Sequence, residues 1–450
     1  MNDLPVVIVG AGPIGLAAAA EVRERGLRPL TLEKGSAAGA AVSQWNHVRL
    51  FSQWSEVIAP AAQRLLQTTA WAAPDMESYP TGGDWASEYL APLAAALGDA
   101  VQFDTEVIGV ARRGRDRLVD SGRDSEPLSI HVRRGDGSED RLLARAVIDA
   151  SGTWGTPNPL GSEGLPAIGE RPAAASIEYR VPDLADPQVR DDYAGKHTLI
   201  AGAGHSALTA IVALANLAKD APGTRITWAL RRGGVGTTFG GGASDQLPAR
   251  GALGIRAKQA LEDGLLSVVT EFRTESVESD ANGALSIVSD NGQRIDGVDR
   301  AVVLTGFRPD LSWLSEVRLD LDPTLQASTE LAPLIDPNVH SCGTVYPHGF
   351  RELSQPEPNF FLAGMKSYGR APNFLAMTGY EQVRSIAAHL AGDNEAAGRV
   401  ELILPETGVC GGAGAFDEPA DEPESESDGG CCGTVPAEII NLVSPSAATR

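Results

Sequence analysis

Pro5 to Val9 is a short apolar, β-branched run that leads directly into Gly10-Ala11-Gly12-Pro13-Ile14-Gly15 and then into an alanine-rich stretch reaching Arg25. That order reads as strand, glycine turn, helix. Gly10 permits the tight turn, Gly12 lets the backbone approach a pyrophosphate, and Gly15 allows helix and strand to pack closely while the helix N-terminus faces the phosphates. Gly10, Gly12, Pro13 and Gly15 are thus expected phosphate contacts. A second strand, Arg28 to Leu32, ends at Glu33 with Lys34 beside it. Glu33 follows the glycines at about the 20-residue spacing that suits a carboxylate bonded to a ribose diol. A bare glycine pattern is weak evidence, but here the strand, the helix and the acid all accompany it.

The same grammar returns near mid-chain. Lys196 to Ala201 reads as a strand, followed by Gly202-Ala203-Gly204-His205-Ser206-Ala207, a helix to Lys219 and a strand over Arg225 to Leu230. This second strand ends at Arg231-Arg232 where the first unit has Glu33. Cations at that ribose edge favour a 2′-phosphate, hence NADPH over NADH. The plainer alternatives are that the arginines solvate a strand end and that Ser206 only caps the helix.

Composition sets outer bounds. With 37 Lys+Arg against 59 Asp+Glu the 450-residue chain carries a net charge of −22, which argues against nucleic acid as a partner. The uncharged stretch from Leu4 to Ala20 is interrupted by Gly10, Gly12, Pro13 and Gly15, and Asp3 precedes it instead of a basic segment. It is therefore expected neither to span a membrane nor to act as a signal peptide. Four cysteines cannot staple a chain of this size, so a reducing, cytoplasmic setting is expected.

Between the two units, Arg145 to Ala150 reads as an apolar strand leading into Ser151-Gly152-Thr153-Trp154 and a Pro-rich crossing. Arg300 to Leu304 does the same before Thr305-Gly306-Phe307-Arg308-Pro309-Asp310. Both read as chain crossings between domains. On these residues the chain resembles the two-dinucleotide-fold flavoproteins, the superfamily of flavin-containing monooxygenases and thioredoxin reductases, over roughly residues 4–395. The resemblance implies an α/β fold with two Rossmann-like domains: a discontinuous FAD domain (1–156 and 307–395), an inserted NADPH domain (157–306) and a flexible acidic tail (396–450).

It further implies that Gly10, Gly12, Gly15 and Glu33 hold FAD, that Val107 meets adenine through its backbone, and that Gly152 and Gly306 mark the turns linking the domains. Asn359-Phe360-Phe361-Leu362-Ala363-Gly364-Met365 resembles the strand that closes the FAD domain, and Asn373 to Tyr380, with Phe374 and Leu375, the opening of a helix aimed at the flavin ring. Gly202, Gly204, His205, Ser206 and Ala207 would contact NADPH. Disulfide reductases of the superfamily usually place Asp after the Gly at position 364; Met365 stands there instead, and no Cys-x-x-Cys occurs in either fold. Met365 moves the chain toward the monooxygenase branch, and the missing motif leaves a thioredoxin-reductase dithiol absent from its expected places. The monooxygenase likeness is incomplete too, because Ala175 to Arg180 lacks the His expected before the second glycine loop.

Gln44-Trp45-Asn46-His47-Val48-Arg49-Leu50-Phe51-Ser52-Gln53-Trp54 is dense in aromatic and hydrogen-bonding side chains. In the resembled family this stretch lines the isoalloxazine, so Trp45 is expected to wall the ring and Asn46, Ser52 or Gln53 to steady reactive oxygen by hydrogen bonding. The alternative is that the aromatics are core and the polar residues cap a turn. The segment from Gly233 to Gly254 reads as too glycine-rich for regular structure, either a lid over the nicotinamide or a surface insertion.

After about Leu404 the composition shifts to an acidic run flanked by Cys410 and by Cys431-Cys432. Such a run is expected to be solvated and disordered. Its three thiols on a flexible tether suit a soft, thiophilic ion. Together with Val48 to Ser52, Asp149 to Trp154 and Gly202 to Ala207, this makes the chain most similar to flavoprotein monooxygenases found with bacterial arsenic-resistance genes, which brings in arsenite as a partner. Three functions follow: a monooxygenase acting on sulfur, nitrogen or trivalent arsenic in a small molecule; a thiol or metalloid reductase using the tail cysteines; and a flavin-containing metalloid-binding protein. The oligomeric state stays open, a homodimer included.

Overall fold

The computed structural model describes residues 3–245, 247–339, 347–372 and 374–402. Two sheets built on the same plan organise it. The first half supplies β1 (Val6–Val9), β2 (Pro29–Leu32), β3 (Val101–Gln102), β4 (Thr105–Arg112), β5 (Leu128–Arg134), β6 (Glu139–Ala144) and β7 (Ala146–Asp149). The middle supplies β8 (Ile177–Glu178), β9 (His197–Ala201), β10 (Arg225–Ala229), β11 (Ser267–Val269), β12 (Thr274–Ser279), β13 (Leu285–Ser289), β14 (Arg294–Val298) and β15 (Arg300–Val303). β16 (Phe360–Leu362) comes last and returns to the first sheet.

That first sheet has the order β16-β7-β1-β2-β3. Its pairs are parallel, with Val6 opposite both Pro29 and Ala146. All of Val6 to Val9 is buried, as a parallel strand covered on both faces requires. One face is covered by the helix Pro13–Glu24, which packs on the helices Ala376–Leu390 and Pro60–Leu66. Ala17, Ala18 and Ala19 are 0% exposed there, so the run of small residues is a close-packing surface. The opposite face is covered by the antiparallel sheet β4-β5-β6, where Val110, Ile130 and Val132 meet Val7, Val147 and Leu362.

The second sheet, β11-β10-β9-β15-β8, repeats the plan. The helix His205–Asp220 covers one side together with the helix Pro248–Glu262, and the antiparallel sheet β12-β13-β14 packs toward the other. Glycine is obligatory at both turns for steric reasons. A Cβ on Gly15 would lie 1.9 Å from the Gly10 carbonyl oxygen, and one on Gly202, whose φ is +131°, would lie 2.3 Å from that of Leu304.

The glycine-rich segment is more regular than its composition implied. Pro248 opens a helix that runs to Glu262, preceded by short 3-10 turns at Gly236–Phe239 and Gly242–Ser244. Its glycines serve close packing instead of mobility: a Cβ on Gly251 would sit 2.1 Å from the Gly242 carbonyl oxygen, and one on Gly254 would sit 1.9 Å from that of Phe239. Buried Asp245 and Arg250 form an ion pair at the start of this helix.

The two crossings between the sheets lie side by side. Pro157 and Phe307 form an antiparallel bridge, and Trp154 stacks on Phe307 with ring centroids 4.8 Å apart. Arg308 donates through Nε to the Asn158 side-chain oxygen at 2.9 Å. No helix among the described residues is long and apolar enough to cross a membrane.

Candidate active site

A cavity of about 1220 Å³ opens at the carboxyl ends of β1, β2 and β7 and extends to the second sheet's module. This is where ligands bind in open parallel sheets. Its volume exceeds the roughly 300–1,000 Å³ of an ordinary small-molecule pocket. The cavity has room for a dinucleotide and more.

Gly10, Gly12 and Pro13 line the cavity, whereas Gly15 lies behind them. Gly12 is the N-cap of the helix Pro13–Glu24, with no side chain bonded to the first turn. A Cβ added to Gly12 or to Gly152 would meet nothing within 4 Å. These are open cradles with unspent backbone N–H groups, which suits a bound diphosphate. Glu33 lies at the edge, accepting from Ala11 N at 2.7 Å and Gly35 N at 2.8 Å. Lys34, Val107 and Gly152 also line the wall.

Beyond the sheet's edge the wall is made by Gly364, Met365, Phe374 and Leu375. The backbone at Gly364 is fixed from behind, because its N–H donates to Gln382 Oε1 at 2.8 Å. The helix expected from Asn373 begins at Ala376, with Leu375 as N-cap. Asn373 itself lies outside the described residues.

A buried charge cluster supports this wall. The Lys366 ammonium lies 2.7 Å from Asp149 Oδ2, with both side chains essentially inaccessible. It also donates to Ser151 Oγ at 3.1 Å and sits 4.4 Å over the Trp313 ring. Ser151 and Trp313 line the cavity, as does Asp310. Burial pushes the Asp310 carboxyl up, but hydrogen bonds from Ser312 and the charges of Lys366 and Lys34 outweigh it and hold it below the usual carboxylate range. Sequence reasoning missed this cluster. Its available signal was a lysine inside the otherwise apolar and small run from Phe360 to Tyr368.

The aromatic stretch divides. Trp45, Phe51 and Ser52 line the cavity; Asn46 and Gln53 do not. Gln53 precedes the helical turn Trp54–Val57 and spends its backbone N–H on the Glu56 carboxylate at 2.8 Å, while the Asn46 carbonyl accepts from Gly83 N at 2.9 Å. Both belong to turns and lie off the cavity wall, as the alternative reading of these polar residues allowed.

The second module enters the cavity through Arg180, His205, Leu247 and Arg250. His205 opens the helix His205–Asp220 and meets Phe51 edge-on at 5.3 Å. Enclosure in the cavity pushes its imidazole below the ordinary value and Arg250 adds to this, against a smaller opposing effect of Asp245. Gly202, Gly204, Ser206, Ala207 and Gly306 lie off the cavity wall. Gly204 is the helix N-cap, so Ser206 sits inside the first turn and not at the cap. Arg231 and Arg232 are exposed past the end of β10. Cys410, Cys431 and Cys432 lie outside the described residues; among the described residues no cluster of His, Cys, Asp and Glu could hold a metal ion.

Comparison with known proteins places this architecture. The sequence pattern of the family described as pyridine nucleotide-disulphide oxidoreductase matches residues 7–341. A ferredoxin–NADP reductase from Ignicoccus hospitalis is 23% identical over 321 residues, 70% of this chain and 81% of that protein. A bacillithiol disulfide reductase from Bacillus cereus superposes with a TM-score of 0.63 at 19% identity, covering 86% of this chain and 99% of that one. A cadaverine monooxygenase from Erwinia amylovora gives 0.59 at 13% identity, covering 90% and 98%. A flavin-containing monooxygenase from Stenotrophomonas maltophilia gives 0.53 at 21%, covering 88% and 99%. Reductases and monooxygenases thus share this fold.

Proposed function

Because the chain belongs to the pyridine nucleotide-disulphide oxidoreductase family, we propose that it is an FAD- and NADPH-dependent monooxygenase acting on a soft heteroatom of a small molecule. The observation that carries this reading is the cavity wall. It offers an open glycine cradle and a ribose-edge carboxylate at one end and second-module residues at the other, and no Cys-x-x-Cys occurs in either dinucleotide unit of the sequence. A reductase working through a dithiol held in one of these folds would carry that pair.

FAD, when bound, supplies a carrier that accepts hydride from NADPH and passes electrons to dioxygen. The chain's own residues bind, orient and shield. Gly10, Gly12 and the first turn of the helix Pro13–Glu24 take the diphosphate, and Glu33 takes a ribose. Trp45 and Phe51 exclude water from the ring end, and Ser52 is placed to donate a hydrogen bond. Arg231 and Arg232 meet the 2′-phosphate of NADPH. Trivalent arsenic is included among the soft atoms on the sequence likeness to arsenic-resistance flavoproteins.

The test is NADPH oxidation by the FAD-loaded protein with thiols, amines and arsenite under ¹⁸O₂. Label appearing in the oxidised product is expected. A protein that stays colourless and indifferent to FAD would overturn the reading. Product without label, formed only while Cys431 and Cys432 are intact, would favour the reductase in its place.

A further inference from the structure

We propose that the interdomain end of the cavity receives an anionic group of the substrate, a carboxylate or an oxyanion, through Arg180 and Arg250. The inference rests on the reading of the cavity as the redox site and adds the charge of what it accepts.

The chain carries a net charge of −22, yet the second module contributes two arginines, a histidine, a leucine and no acid to the wall. The acidic lining residues, Glu33, Asp104, Glu106 and Asp310, all come from the first module's segments. An imidazole whose pKa is lowered leaves His205 neutral, a hydrogen-bonding group beside the cations instead of a third charge.

The two guanidinium groups are in different states. Arg250 is 6% exposed and donates to Asp245 through Nε at 2.9 Å and through Nη2, which fixes the plane of its fork and leaves Nη1 uncommitted among the described residues. Arg180 forms no ion pair among the described residues, and its Nε is buried without a hydrogen-bond partner. A buried donor without a partner is costly, and an acceptor delivered by a ligand removes that cost. Arg180 is also held in place. It lies 5.0 Å over Trp154, which in turn donates to Gln44 Oε1 at 2.9 Å and stacks on Phe307. A planar fork fixed on an aromatic face is preorganised for a planar or tetrahedral anion. Arg250 is neutralised by Asp245 and offers its Nη1 as a donor, whereas the charge of Arg180, unpaired among the described residues, repels a protonated amine, so the site favours substrates whose soft atom is carried on an acid.

The test is titration of the flavin-loaded protein with benzoate, benzylammonium and NADP⁺, read as perturbation of the flavin absorbance and by calorimetry. Benzoate binding is expected and benzylammonium binding is not. Arg180→Gln should raise the benzoate Kd by about tenfold or more, the loss of one charge-assisted hydrogen bond, with the NADP⁺ Kd unchanged. Arg180→Lys, which keeps the charge, should retain part of the affinity and covers the case in which Arg180→Gln does not fold. Equal binding of benzylammonium, or an Arg180→Gln protein that binds benzoate normally, would overturn the proposal. So would a loss confined to NADP⁺, which would assign the arginine to the dinucleotide. Calorimetry needs no flavin, so a protein that takes no FAD yet binds benzoate through Arg180 would fail the proposed function while keeping the anion site.

Discussion

Lys366 and Asp149 meet 2.7 Å apart with 1% and 0% of their side chains exposed, joining the end of β7 to the turn after β16 directly beneath the cavity floor. An ion pair so far from water returns little net stability, because desolvation consumes most of the attraction. Its use is positional. Through Ser151 Oγ and the Trp313 ring the ammonium fixes two groups that line the cavity.

Removing only one partner strands the other. Lys366→Met should lower unfolding stability by about 3–5 kcal/mol, as measured by chemical denaturation. The double variant Asp149→Ala/Lys366→Met should recover most of that loss while still releasing flavin more readily than the parent. A double variant as unstable as the single one would contradict the assignment.

Two glycines of the first loop separate packing from binding. Gly15→Ala forces a methyl against the Gly10 carbonyl, 1.9 Å away before relaxation, and should cost roughly 1–3 kcal/mol. Gly12→Ala meets open space and loses only the preference of an N-cap for Gly over Ala, so the flavin-free protein should lose about 0.5–1 kcal/mol at most while FAD affinity falls. Thermal melts with and without FAD distinguish the two.

In the proposed function the charges past β10 set coenzyme choice. Arg231→Ser/Arg232→Ser should reduce the kcat/KM ratio of NADPH to NADH by about tenfold to a hundredfold, the worth of one charge-assisted contact to the 2′-phosphate. An unchanged ratio in steady-state assays would mean that the arginines merely solvate the strand end.

Acid should weaken the fold through its histidines. Burial lowers the imidazole pKa of His197 and His389 below 6.5. The unfolded chain therefore takes up protons that the native one refuses. The stability these neutral rings contribute is complete above about pH 6.5 and is lost as pH falls from there through the depressed native values. His389 stacks flat on Phe350 at 4.3 Å, so His389→Phe keeps the stacking and removes the titration. Its melting temperature should fall less steeply below that pH than the parent's.

The parts of the architecture governed by local rules were legible in the sequence. Both strand, glycine turn and helix units lie within a residue or two of where Gly10 to Gly15 and Gly202 to Ala207 put them, because backbone sterics at those glycines leave few alternatives. The segment after Gly233 was misread since glycine density was taken as freedom, whereas Gly251 and Gly254 are small to admit neighbouring carbonyls. Asn46 and Gln53 show the same ambiguity in polar residues, whose turn roles are indistinguishable from ligand roles without the third dimension. Lys366 with Asp149, and Arg180 with Trp154, join residues far apart in the chain, and no spacing rule announces such pairs.

The paired crossings have a bearing on ancestry. Since the chain leaves the first sheet near Pro157 and re-enters beside it at Phe307, the intervening module could be excised and the ends rejoined by a short peptide. A gene assembled by dropping one nucleotide-binding module into a surface turn of another would carry this scar.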